Sequence, residues 1–384
     1  MRSGRLGFGD AIAPCTDLGR LSRFSLPSCI SGAAFIVGST LMLQDAATAI
    51  GIVATLLWTL THKVFLTASG SLSIAKLFTT LVIAIVAIVW LRRPKRRSVR
   101  LLALLKTIFA KRIVFSRSAY ADYGFAAFNI FMVGILFGWA IISNHYFSVW
   151  TSGVLTSCFG AASPTGIPEF WGAVIITVAL FIAFEFAYWF DHYISHVVPF
   201  LWEFHKVHHQ AEVLTPITNF RVHPVDTIVF YNLIALCTGL THGLFTYVLG
   251  NEPPQLTVFD SNVIFLFFSY VLQHLHHSHV WIAFTGWFGR VIMSPAHHQI
   301  HHSTNPIHYD RNFGGNLALF DWLFGTLHMP AKENEQLTFG ADPDGFDPHS
   351  ITGGLIAPFV RAAGHLKPRA AQPTTALAAG SKHA

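Results

Sequence analysis

The run WEFHKVHHQ, residues 202–210, places His205, His208 and His209 at positions i, i+3 and i+4. HQIHH repeats that spacing with His298, His301 and His302. DHYISH sets His192 and His196 four apart, and QHLHH sets His274 and His277 three apart. Residues three or four apart share one face of a helix, so each run can aim its imidazoles at a single point. Neutral imidazole is a good ligand for Fe, Zn, Cu or Ni. That many converging ligands exceed what one ion holds and suit a two-metal centre. Of 22 histidines in the chain, 16 lie between His192 and His308. Taken singly, His242, His276, His308 and His328 read as ordinary hydrogen-bonded residues.

The elements that must carry these runs are membrane helices. Of the 384 residues, 52% are hydrophobic and only 11% charged, where a soluble protein has about 25% charged residues. Mean hydropathy is +0.49, and Phe is over-used, with 35 residues. The fold expected is all-α, a multi-pass transmembrane helical bundle with a cytoplasmic, histidine-rich cap holding a dinuclear metal site. The net charge of +6 is concentrated in RRPKRRSVR (92–100) and KRIVFSR (111–117). Next to apolar runs these read as cytoplasmic anchors, not as a nucleic-acid surface, so no nucleic-acid partner is expected. Cys15, Cys29, Cys158 and Cys237 are scattered and form neither a disulfide framework nor a thiolate site. The N-terminus lacks a secretory-signal pattern.

A span needs about 20 mostly apolar residues. Candidates are 49–67, 72–91, 123–143, 168–190, 226–249 and 256–273, with 29–43 as a non-spanning or re-entrant segment and 101–110 as an interfacial helix. With RRPKRR fixed in the cytoplasm, alternating directions bring both His192 and His274 to the cytoplasmic face. The expected localisation is integral to the membrane, the bacterial inner membrane in preference to the endoplasmic reticulum. The chain divides into an N-terminal membrane region with a basic cytoplasmic loop (1–120), a catalytic domain (121–330) and a C-terminal cytoplasmic tail, partly disordered (331–384).

The chemistry can be narrowed by exclusion. There is no HExxH, so a zincin-like protease lacks its general base. A transporter would carry its ligands at the bilayer midplane, and a bis-His haem protein would pair single histidines at mid-span. Clusters at the cytoplasmic rim suit electrons arriving from a cytoplasmic donor and a substrate whose tail lies in the bilayer, which is the setting of O2-dependent attack on a lipid. The alternative is a histidine-rich membrane protein for metal transport or sensing, without redox turnover.

With these residues assembled, the chain resembles the fatty acid hydroxylase/sterol desaturase superfamily of membrane di-iron enzymes. The pattern HxxxH…HxxHH…HxxHH is met by His192/His196, His205/His208/His209 and His298/His301/His302. The context LWEFHKVHH, RVHPVD, SPAHHQIHHS, DRNFGG and LFDWLFGT agrees, over roughly residues 165–330. The resemblance implies two iron ions held by these eight histidines and by His277, the last through a segment similar to HxNxxxP in which His279 stands where Asn is usual. O2 is the implied co-substrate, and the implied reaction is hydroxylation or desaturation of an unactivated C–H bond of a lipid or sterol-like molecule. His223, His274 and His279 are candidates for a further ligand or for a partner to one. Glu185 stands where the family often has Asp, and Tyr193 where Arg is common. Asp191, Glu203, Asp226 and Asp310 could orient imidazoles through their outer N–H. No haem-binding HPGG motif is present, so a separate electron donor of the ferredoxin, cytochrome b5 or reductase type is implied.

Overall fold

A computed structural model describes residues 48–92, 100–163, 165–252, 254–342 and 344–366. The segment 29–43, most of the basic run 92–100 and the tail beyond 366 lie outside the described residues. The chain separates into two units, Met1–Leu56 and Leu57–Ala384; the described part of the first is helical throughout.

The helices are α1 (Thr48–Leu66), α2 (Ile74–Arg92), α3 (Leu101–Ile108), α4 (Arg117–Phe128), α5 (Asn144–Phe159), α6 (Glu169–Val197), α7 (Pro199–His209), α8 (Pro224–Leu249), α9 (Val263–Val271), α10 (Gln273–His276), α11 (Pro295–His301), α12 (Leu319–Phe324) and α13 (Ile351–His365). Among the described residues, four helical stretches are long and apolar enough to cross a membrane: Thr48–Leu66, Arg117–Phe159, Glu169–Val197 and Pro224–Leu249. Ile74–Trp90 and Val263–His276 are shorter apolar helices.

The stretch Arg117–Phe159 is not one straight helix. It passes through a π-helical turn at Asn129–Val133, then breaks at 141–143, where Ser143 takes an extended conformation and caps α5 by accepting from His145 N–H. The break costs backbone hydrogen bonds, and Asn232 on α8 replaces them. Its Nδ2 donates to Ala140 O at 2.9 Å and its Oδ1 accepts from Ile142 N at 2.9 Å. Helix α5 was missing from the expected spans, yet it packs most closely of all against α8. Gly239 and Gly243 of α8 make that possible: a Cβ on either would stand 2.5 Å from Asn144 O or 2.3 Å from Ser148 O. Small residues four apart let membrane helices approach to backbone contact. His242, between them, shares a 2.8 Å hydrogen bond with Ser148 Oγ, which bears out its ordinary reading.

The expected span 256–273 is corrected at its start. Residues 257–262 form a two-stranded antiparallel ribbon, Thr257–Val258 with Ser261–Asn262, turned by Phe259 and Asp260 at φ 50° and 58°. Asn262 then caps α9 by accepting from Ile264 and Phe265 N–H. Asp-Ser-Asn is turn and cap chemistry, and it overrides the apolar run around it.

Helix α6 positions the first histidine pair by its length. Its 29 residues extend about 43 Å at 1.5 Å each, beyond a hydrocarbon core of about 30 Å, so its last turns project. Val198 and Pro199, at the first position of α7, turn the chain sharply, bringing the second histidine run back beside the first. Helix α13, inside the segment expected as a tail, lies on α7. Arg361 Nε donates to Glu203 at 2.8 Å, and His365 Nε2 reaches the other oxygen at 3.0 Å.

Candidate metal centre

The three histidine runs and His277 meet at the end of the bundle where α6, α7, α10 and α11 come together. Two groups of converging imidazole nitrogens result. His192, His196, His205, His209 and His301 form one, and His208, His277, His298 and His302 the other; within each, one nitrogen per residue lies within 4.8 Å of all the rest. These are the nine residues that the boxes and the resemblance singled out. The approaches are short. His209 Nε2 stands 3.1 Å from both His196 Nε2 and His301 Nε2. In the second group, His277 Nε2 stands 3.0 Å from His208 and His298 and 3.1 Å from His302.

Nitrogens this close cannot all be paired with one another, since each neutral ring carries one N–H. Around an ion with metal–nitrogen distances of about 2.1 Å, neighbouring ligand nitrogens sit about 3.0 Å apart at right angles and about 3.4 Å apart in a tetrahedron. The observed spacings therefore fit ions. Burial supports this: the Nε2 atoms of His192 and His205 are buried without a partner, an arrangement that is costly in an apolar interior and that a metal resolves. An all-imidazole donor set suits iron, copper, nickel or zinc and not Mg or Ca.

The outer nitrogens explain the aim of the first group. His192 Nδ1–H donates to Phe313 O at 2.8 Å, His301 Nδ1–H to Arg311 O at 2.8 Å, and His205 Nδ1–H to Asp226 Oδ2 at 3.1 Å. Asp310 Oδ1 is 3.6 Å from His196 Nδ1, with its side chain 64% exposed. Fixing the proton on Nδ1 leaves the Nε2 lone pair facing inward. Two of these acceptors are backbone carbonyls in the DRNFGG loop, and buried carboxylates hold that loop. Asp321 accepts from Phe313 N and Gly314 N at 2.8 Å each. Glu185 accepts from Asn316 N, Asn316 Nδ2 and Leu317 N at 2.7, 2.6 and 2.8 Å. Glu185 thus pins the loop to α6 and touches no imidazole.

Burial, with the neighbouring imidazoles adding to it, holds His208, His209, His277, His298 and His302 well below the ordinary histidine range. The same desolvation brings His301 down to about 3. These rings are neutral at pH 7, the form that binds metal.

The remaining candidates fall elsewhere. His223 is not brought to either group: it caps α8 by accepting from Val225 N at Nδ1, and its Nε2 donates to Leu355 O on α13 at 3.1 Å. His274 is buried but belongs to neither group, and His279 lies outside both, against the Thr107 backbone. Asp191 is buried beside Asp226, with its Oδ1 unpaired. Glu203 serves α13, as described. Tyr193 stacks on Trp189 at 5.4 Å between centroids. Asp321 and the two carbonyls were not foreseen; the only sequence signal for them was their place within the DRNFGG and LFDWLFGT context.

Comparison with known proteins agrees with this architecture. Residues 177–326 match the fatty acid hydroxylase family. Human alkylglycerol monooxygenase is 26% identical over 173 residues, covering 44% of this chain and 34% of that enzyme. The ornithine lipid hydroxylase of Rhizobium tropici is 29% identical over 165 residues, 43% of this chain and 45% of its own. The Delta(7)-sterol-C5(6)-desaturase of Nicotiana tabacum is 25% identical over 188 residues, 47% and 58%. The chain thus spans about a third to three-fifths of the length of these relatives. No solved structure matches it.

Proposed function

We propose that this chain, whose residues 177–326 form a fatty acid hydroxylase domain, is a membrane oxidoreductase that hydroxylates a lipid at the nine-histidine centre. The single observation that carries the reading is the pair of converging imidazole groups, with the outer nitrogens of His192, His205 and His301 tied down in the first of them. The overlap with monooxygenases, hydroxylases and desaturases supports the same class. His192, His196, His205, His209 and His301 would hold one iron, and His208, His277, His298 and His302 the other. When bound and reduced, the iron pair supplies the activation of O2 that an unactivated C–H bond requires.

The balance for hydroxylation is R–H + O2 + 2 e⁻ + 2 H⁺ giving R–OH + H2O. The electrons come from a separate reducing protein, and desaturation would consume the same electrons while removing two hydrogens from the lipid. The chain's own part is positional. Asp226 and the Phe313 and Arg311 carbonyls hold Nδ1 protons, so the rings turn Nε2 inward. Burial keeps most of the rings from bulk water, and the histidine-bearing end faces the cytoplasm, as the arginines of 92–100 favour.

Full-length protein in membranes under labelled O2 tests this. Expected are about two irons per chain on purification and a lipid that has gained the label or lost two hydrogens. Metal retained with no lipid altered and no O2 consumed would identify a metal-binding protein instead and end the enzyme reading.

A further inference from the structure

A cavity of about 310 Å³ opens directly onto the metal-facing histidines, with His196, His209, His301 and His302 in its wall. The rest of its lining decides what can enter. Lys206, Thr304, Asp310 and Asp342 are polar, while Trp202 and Tyr309 supply aromatic faces. Of all these residues, His196 alone belongs to a candidate span, and it sits in the last turn of that helix. The others come from α7, from the end of α11 and from the loops after it. Asp310, Asp342 and Tyr309 are exposed, so the mouth faces water and not the acyl chains.

The charge at the mouth has a sign. Lys206 Nζ donates to Asp344 and is thereby neutralised. Asp310 and Asp342 face no lysine or arginine among the ion pairs of the described residues; among those residues Asp342 accepts a backbone N–H, that of Asp344. A mouth with two carboxylates left over repels phosphate or carboxylate and accepts hydrogen-bond donors. Apolar surface lies next to this wall in the chain, outside the lining itself: Val197 and Val198, directly after His196, are 44% and 39% exposed. An amphiphile can therefore lie with its tails against the end of α6 while its polar part enters the cavity.

We propose that this cavity is a headgroup subsite. The lipid enters polar end first, its headgroup bears hydroxyl or ammonium donors, and the oxidised carbon lies in the headgroup or next to its linkage, not deep in an acyl chain. This rests on the lipid-oxidation reading above and on the same balance, with O2 and two electrons from a reducing protein. Lys206 and Asp342 would be specificity residues, since neither ligates metal.

The full-length protein, expressed in a bacterial membrane under labelled O2, supplies the test. Tandem mass spectrometry of the host's polar lipids locates the carbon that has gained label or lost hydrogen. Modification within the headgroup or at the linkage carbon is expected. Modification beyond the first few acyl carbons would overturn the subsite while leaving the lipid-oxidation reading standing. No modified lipid would overturn both. The modified lipid is then assayed in mixed micelles with Asp342→Asn and Asp342→Lys. A rise in KM of about tenfold with kcat within twofold is expected for Asp342→Lys, the size of one charged hydrogen bond. Asp342→Asn then separates the two donors: a near-wild-type KM indicates hydroxyls, and a rise matching that of Asp342→Lys indicates ammonium. Unchanged KM in both variants would overturn the role of the mouth.

Discussion

An imidazole can ligate only through the nitrogen that carries no proton, so the acceptor on its far side decides where it points. Among the described residues, Asp226 is the one side-chain carboxylate within ordinary hydrogen-bond distance of an outer nitrogen of the nine histidines, at 3.1 Å from His205 Nδ1. Asp226→Asn keeps the shape and an acceptor oxygen but removes the charge that makes the ring a stronger donor to metal. Partners of this kind typically govern metal affinity by 10–100-fold. The expected result is iron held about tenfold more weakly in chelator competition, with unchanged thermal stability of the metal-free protein. A second expectation concerns pH. The depressed rings, His301 at about 3 among them, stay neutral when folded, whereas in the unfolded chain they titrate near 6.5. Below about 6.5 the unfolded state takes up protons that the folded state refuses, so the stability these rings contribute is full above that pH and lost as pH falls. Each such ring removes up to about 1.4 kcal/mol per pH unit in that window. The melting temperature of metal-free protein should therefore drop steeply between pH 7 and 5; a flat profile would mean that the rings are not buried as a neutral cluster.

At the scale of elements, the closest approach in the bundle is that of α5 and α8 over two glycines. A Cβ on Gly243 would stand 2.3 Å from Ser148 O and 2.7 Å from Thr151 Cβ, and neither backbone can yield without separating the helices. Gly243→Val is expected to lower stability by about 3 kcal/mol or more, the upper range of overpacking. Gly153→Ala, inside α5 where nothing lies within 4 Å, should keep or raise it, by up to about 1 kcal/mol; detergent-solubilised melting curves compare the two. Helix α5 itself was not legible in the sequence. NHYFSVWTSGVLTSCF is too polar to read as a span by hydropathy, and it earns its place through backbone contact with glycines about ninety residues later. The histidine boxes were legible for the opposite reason: i, i+3, i+4 spacing is local, and a helix converts it directly into a shared face. His277 needed the resemblance, because its run alone left His274 equally eligible. The Phe313 and Arg311 carbonyls were illegible because every residue has a carbonyl, and only the fold decides which one faces a ring. His223 looked like a ligand but became a helix cap, since a histidine before Pro-Val-Asp can serve either way.

Across the whole molecule, the histidine-bearing end is contacted by a segment that lies outside the family-matched region. Helix α13 is bound to the second histidine run through Glu203, held by Arg361 and His365. It is bound to the chain before α8 through Leu355 O, which accepts from His223, and the fully buried Arg221 donates to Val207 O on α7 and to Pro348 O just before α13. Two of the three ties end on α7 itself, at Glu203 and, through Arg221, at Val207, so α13 acts as a brace on His205, His208 and His209 and not as a loose tail. Glu203 and Arg361 are each only 10% exposed at the side chain, and removing Arg361 leaves the buried carboxylate with His365 alone, at a cost of about 3 kcal/mol. Arg361→Ala should therefore lower the melting temperature and speed iron loss from the purified protein. The double variant Glu203→Gln/Arg361→Ala should recover part of the stability, because the stranded carboxylate is gone. Equal losses in single and double variants would show that the pair does not couple α13 to α7. Iron loss unchanged in both would show that the brace is unnecessary for the centre.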